Sequence, residues 1–160
     1  MKKDHTRDYA TEAFRYYARL GKPKFEDVKE KIYLEAIEQS KKSELKTNNI
    51  CSPTELAMMR ADKAVLEKKG ELEDILAVEE TLKQLAYEYN GKEMLEVIER
   101  VYFIQPNKPI EKGELKNRVL AAIEEMHIGE RTAWRYLAKA RNIFAENRGL
   151  RTSDNKIISA

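Results

Sequence analysis

The chain has little of what builds disulfides, metal centres, sheets or membrane spans. Cys51 is the only cysteine among 160 residues. No internal disulfide can form, and a metal site built on several thiolates is excluded. The two histidines, His5 and His127, do not stand at metal-ligand spacing. Gly (6) and Pro (4) are scarce, and chains with few breakers and much Glu, Lys, Ala and Leu favour helix. No segment alternates with period two for long enough to be a strand. No run approaches the roughly 20 apolar residues needed to span a bilayer, so no membrane partner is expected. Met1-Lys2-Lys3 leads into charge and not into an apolar run, so no signal peptide is read and the expected location is cytoplasmic. Catalytic signatures are missing too: there is no Gly-rich phosphate loop and no nucleophile elbow. The expectation is a non-enzymatic protein with no catalytic residues, no cofactor and no metal.

What the chain does have is charge, unevenly placed. Charged residues make up 36% of it and hydrophobic ones 42%, with a net charge of +2, so it is not a uniformly basic glue for nucleic acid. From Gly129 to Arg151 there are six Lys/Arg against two Asp/Glu. From Thr54 to Arg100 there are seven against twelve, and the first 24 residues carry seven against three. An acidic middle thus separates two basic ends.

Helical spacing runs through most of the chain. Residues 6–20 read as a first helix, with Asp4 or Thr6 as cap, Gly21 as stop, and Tyr9, Ala13, Phe14, Tyr17 and Leu20 on one face. Its interleaved Arg7, Arg15 and Arg19 suit nucleic-acid stacking and phosphate pairing. The plainer reading puts the aromatics in the core and the arginines in solvent. After Pro23, Phe25, Val28, Ile32 and Ala36 give a second helix to about Ser43. The short turn between the two suggests a helical hairpin. The polar Lys46–Cys51 stretch reads as a linker. Ser52-Pro53-Thr54-Glu55 opens a helix, Ser52 as N-cap and Pro53 at the first helical position. Leu56, Met59 and Leu66 line one face of it. Gly70 either ends or weakens that helix. Leu72, Ile75, Leu76, Leu82, Leu85, Ala86 and Tyr89 continue the period. Asn90-Gly91 is a stop, with Gly91 supplying a left-handed residue. Met94, Leu95, Ile98, Val101 and Tyr102 make a shorter helix, and Pro106 and Pro109 fix a loop.

The most informative stretch is 115–146. Leu115, Val119, Ala122, Ile123 and Met126 mark one helix; Ala133, Tyr136, Leu137, Ala140, Ile143 and Phe144 mark the next. Between them Met126-His127-Ile128-Gly129 leaves room only for a sharp turn, with Ile128 plugging the gap. This is the sequence form of a helix-turn-helix, whose second helix enters the DNA major groove. With the buried set removed, Glu130, Arg131, Thr132, Trp134, Arg135, Ala138 and Lys139 remain on the groove side. Arg131 and Arg135 suit the O6 and N7 of guanine, and Glu130 suits cytosine N4. Thr132 and Lys139 suit phosphate. Trp134 suits either a thymine methyl or a helix junction. His127 suits a phosphate contact or simply completes the turn.

From Ala122 to Arg141 the stretch resembles the end of sigma-factor region 4 and its phage relatives, the RinA and ArpU types of late-gene transcriptional regulator. The matching residues are Ala122-Ile123, Glu124-Glu125, Met126, His127, Ile128, Gly129, Glu130-Arg131 and Thr132-Ala133, then Tyr136-Leu137 and Ala140-Arg141. Three departures stand out. The Ala-apolar pair before Glu124 is reversed, His127 replaces a common Gly, and Gly129 replaces a capping Ser. Gly is nearly as good an N-cap as Ser. The resemblance covers about a third of the chain. It implies an all-α protein in which an N-terminal hairpin precedes a sigma region 4-like bundle. It also implies binding to double-stranded DNA near a promoter, with RNA polymerase as a candidate contact. The expected division is 1–50 for the hairpin, 51–150 for the helical domain with its helix-turn-helix at 115–146, and a loose tail at 151–160. The hairpin and acidic middle are assigned to homo-oligomerisation, polymerase contact or both. Two rivals stay open: a small terminase subunit for phage DNA packaging, and a helical interaction module that binds no DNA.

Overall fold

Seven α-helices and one π-helical turn account for 80% of residues 4–42 and 52–150, which the computed structural model describes. Among the described residues there is no strand, and no helix is long and apolar enough to cross a membrane. The helices are α1 (His5–Arg19), α2 (Phe25–Lys42), α3 (Pro53–Glu67), α4 (Lys69–Ala86), α5 (Gly91–Ile98), α6 (Glu114–Met126) and α7 (Glu130–Arg148). The π turn, Glu99–Phe103, continues α5. Sequence capping signals hold where they were clearest. The Asp4 carboxylate accepts from Arg7 N–H, and Ser52 Oγ accepts from Glu55 N–H, each satisfying a donor that a helix start leaves unpaired. The expected linker at 46–51, with Cys51, and the tail at 151–160 lie outside the described residues.

The chain divides into two compact units. One comprises 1–22 and 77–160; the other is 23–76, so the boundary falls within α4. Each unit has its own packing. α1 packs on the π turn and α7, while α2 packs on α3. Aromatic area decides this. Phe14 of α1 is fully buried, with its ring 5.5 Å from Tyr102 and 5.7 Å from Phe144. Tyr17 meets Phe103 at 6.1 Å. Aromatic side chains dominate core energetics through area and ring geometry, and this cluster draws α1 to the C-terminal half. Val97, Ile98, Val101, Val119 and Leu137, all fully buried, complete the core of that unit.

Two arginines that the pattern assigned to solvent or overlooked are buried. Arg15, 3% exposed, donates through Nη2 to the carbonyls of Gln105 and Lys108, and Arg19 Nη1 donates to Pro106 O at 3.2 Å. Burial lowers the Arg15 pKa, partly offset by nearby Glu12. Arg118 of α6, 6% exposed, donates through Nη1 to Val101 O (2.9 Å) and Ile104 O (3.0 Å), and through Nη2 to Glu114 Oε1 (3.1 Å). A helical end leaves carbonyls without partners; here the guanidinium fork supplies them where the π turn runs into its loop. α1 and α6 are thus locked to one irregular segment by charge-assisted hydrogen bonds as well as by apolar burial.

Other expectations change in detail. α4 ends at Ala86, and Tyr89 lies beyond it, almost fully exposed. Gly70 does not end α3; that helix stops at Glu67 and Gly70 lies in the first turn of α4. Gly91 is not left-handed. It starts α5, and a Cβ there would lie 2.4 Å from Leu85 O and 2.8 Å from Ala86 O. Only a residue without a side chain lets α5 begin so close to the end of α4. In the 23–76 unit the buried face of α3 is Ala57 and Ala61, whereas Met59 and Leu66 of the expected stripe are 60% and 67% exposed. No residue of α2 is buried.

Candidate nucleic-acid interface

α6 and α7 are joined by three residues, His127, Ile128 and Gly129. His127 takes a left-handed conformation, φ 56°. Its N–H and that of Ile128 both reach Ile123 O, closing α6. A left-handed residue after a helix is usually glycine, and histidine is among the side chains that tolerate the region. Ile128 is half-buried. Gly129 is extended, and its carbonyl accepts from Ala133 N–H at 3.1 Å, starting α7.

α7 is pinned along its length. Ala133, Tyr136, Leu137, Ala140 and Phe144 form its buried stripe. The Tyr136 hydroxyl donates to Glu93 Oε1 of α5 at 3.2 Å. Burial raises the Tyr136 pKa, and the neighbouring Glu93 carboxylate adds to it. Arg141 Nη1 donates to the Tyr102 hydroxyl at 2.9 Å. Asn147 Nδ2 donates to Thr81 Oγ1 of α4 at 3.2 Å, and that hydroxyl in turn donates to Ala77 O. With one side held this way, the opposite side has a fixed aim.

That opposite side carries Arg131 and Arg135, one helical turn apart and both exposed. Neither forms an ion pair among the described residues; Arg135 lies over the Tyr136 ring, 5.9 Å from its centre. Ala138 and Asn142 extend the same stripe, half-buried. Asn142 was not among the residues expected on the groove side, although the i, i+4, i+7, i+11 spacing from Arg131 runs through it. The other expected residues flank the stripe. Glu130 and Trp134 lie together on one side, the indole Nε1–H donating to Glu130 Oε1 at 3.4 Å. Thr132 and Lys139 lie on the other, both half-buried.

Lys139 does not stand alone. Its Nζ is 3.1 Å from Glu88 Oε2, in the turn after α4. No local pattern links these two residues; the contact exists only because α5 and the π turn fold α7 back beside that turn. The pair is about two-fifths exposed on each side, and pairs of that kind contribute little net stability. Lys139 is therefore held loosely and can exchange its carboxylate for another anion. Among the described residues no group of three or more His, Cys, Asp or Glu is placed to hold a metal. No protein-family model, curated protein sequence or solved structure matches the chain.

Proposed function

We propose that the protein is a sequence-specific, non-enzymatic binder of double-stranded DNA that regulates transcription. The 115–146 segment acts as a sigma region 4-like helix-turn-helix of the phage late-regulator kind. The observation that carries this reading is the stripe of Arg131, Arg135, Ala138 and Asn142 on the solvent side of a helix whose other side is locked into the core. A rigid helix with forked donors at its exposed N-terminal half matches what major-groove readout requires. In this proposal Arg131 and Arg135 contact guanine and Asn142 adds a polar contact at the trailing end. Lys139 leaves Glu88 for a phosphate oxygen. Gly129 has no side chain to cap α7, so its first N–H groups and helix dipole also suit a phosphate. RNA polymerase is proposed as the protein contact of such a regulator.

The test is a salt titration of binding to a selected site and to random duplex. Arg131→Ala and Arg135→Ala should each lose about 1–3 kcal/mol on the selected site and narrow its margin over random DNA. Lys139→Ala should weaken both duplexes alike and lower the salt slope by about one. Glu88→Gln should strengthen both, because it frees Lys139. If neither Arg variant changes binding to any DNA, α7 is not the reader.

A further inference from the structure

The unit 23–76 presents an α2 face that is self-complementary. Glu26, Glu30, Tyr33, Leu34, Ile37 and Lys41 recur at intervals of 4, 3, 1, 3 and 4 residues, which places them on one stripe of the helix. The stripe is acidic at its N-terminal end, apolar in the middle and basic at its C-terminal end. The intervals are also palindromic about the Tyr33–Leu34 bond. A second α2 laid antiparallel across the first therefore sets Tyr33 against the partner copy's Leu34, and Glu26 against its Lys41. The partner Lys41 also lies one turn from where Glu30 falls.

Three further observations favour a second copy as the occupant. Leu34 is 54% exposed, although a helix of 18 residues has ample apolar surface to bury and buries none fully. Beside it runs a groove of about 560 Å³ between α2 and α3, lined by Tyr33, Ile37, Ala57 and Met58. Knob and hole thus sit on one surface, which is what a two-fold interface demands. Finally, none of Glu26, Glu30 and Lys41 forms an ion pair among the described residues, whereas Lys42 is already paired with Glu38. The charges at the ends of the stripe remain available to a partner.

We propose that α2 pairs antiparallel with α2 of a second copy. Leu34 enters the partner's α2–α3 groove, and two Glu26–Lys41 pairs set the register. The result is a homodimer with a four-helix core. One helix pair with a groove edge falls at the small end of stable interfaces, about 1,200 Å² in total, so a concentration-dependent monomer–dimer equilibrium is expected. This inference does not depend on DNA binding.

The experiment is sedimentation equilibrium of the full chain, wild type and variants, with circular dichroism to confirm that each stays helical. The wild type should dimerise. Leu34→Asp should weaken the dimer about a hundredfold, because two-fold symmetry places two carboxylates against the apolar Tyr33, Ile37, Ala57 and Met58 walls of the grooves. Lys41→Glu should weaken it about tenfold or more by setting carboxylates against Glu26 and Glu30. The double variant Glu26→Lys/Lys41→Glu should recover most of that loss, since it restores both pairs in reverse. A wild type that stays monomeric at all concentrations overturns the proposal. So does a dimer indifferent to Leu34→Asp, which would lie on another surface. A double variant no stronger than Lys41→Glu alone overturns the antiparallel register.

Discussion

Replacing Arg118 by Ala should destabilise the α6–α7 unit by about 3 kcal/mol. Arg118 donates to Val101 O, Ile104 O and the Glu114 carboxylate. Breaking a buried charged network commonly costs about 3–5 kcal/mol, and each buried carbonyl left without a donor costs about 1–3. Two features of the site pull the value toward the lower end. The cleft bordered by Arg118, Ile104 and Asn117 opens to solvent, so water can reach Ile104 O, although the fully buried Val101 keeps its carbonyl dry. Glu114 also keeps its bond from Glu111 N–H at 3.0 Å and does not become an orphan. For a domain of this size about 3 kcal/mol corresponds to a fall of about 10 °C or more in Tm. Arg118→Lys should recover only part of the loss, because an ammonium cannot serve diverging acceptors in a fixed fork. The assay is urea unfolding followed by the fluorescence of Trp134, the only tryptophan, which sits on α7 in the same unit. A loss below about 1 kcal/mol for Arg118→Ala, or full recovery by lysine, would refute the view that a guanidinium fork holds the π turn on α6.

Two further outcomes are expected. His127→Gly should stabilise the unit by about 0.5–1 kcal/mol, since glycine relieves the left-handed strain at the α6–α7 turn and its greater unfolded freedom cancels only part of that gain. His127→Val should do the opposite, and both are read from urea midpoints; a valine variant as stable as glycine would remove strain from the explanation. Stability should also fall at both ends of the pH scale. Burial raises the Tyr17 and Tyr136 pKa values above the ordinary 10.0, so their contribution is complete below that pH and is lost as pH rises through the raised values. The Glu111 N–H, and then Arg118, lower the Glu114 pKa, so its contribution is present above the ordinary carboxylate range and is lost as pH falls through the lowered value. Tm measured against pH should show a flatter alkaline limb for Tyr136→Phe and a flatter acid limb for Glu114→Gln; unchanged limbs would show that other groups govern the profile.

What the sequence by itself determined is local. Scarce breakers and 3.6-residue spacing specify helices, because backbone and side-chain preferences act within a few residues. Asp4 and Ser52 specify where α1 and α3 begin, and the short Met126–Gly129 stretch specifies a tight turn between α6 and α7. The exposed positions of Arg131 and Arg135 follow from the buried stripe of their own helix. What only tertiary structure decided is which helix meets which. α1 joins α7 and the π turn because Phe14 finds Tyr102 and Phe144, a match between rings distant in sequence that no periodicity encodes. Arg15 and Arg118 look like surface charges on a helical wheel. They are interior because an irregular loop offers carbonyls within reach of their guanidinium groups. Lys139 reads as a free cation until the fold brings Glu88 beside it. Leu56, Met59 and Leu66 make a sound apolar stripe, yet Met59 and Leu66 face outward, because the small side chains of Ala57 and Ala61 allow α2 to approach α3 more closely than leucine and methionine would. Periodicity identifies a face; the shape of the neighbouring helix selects which face is buried.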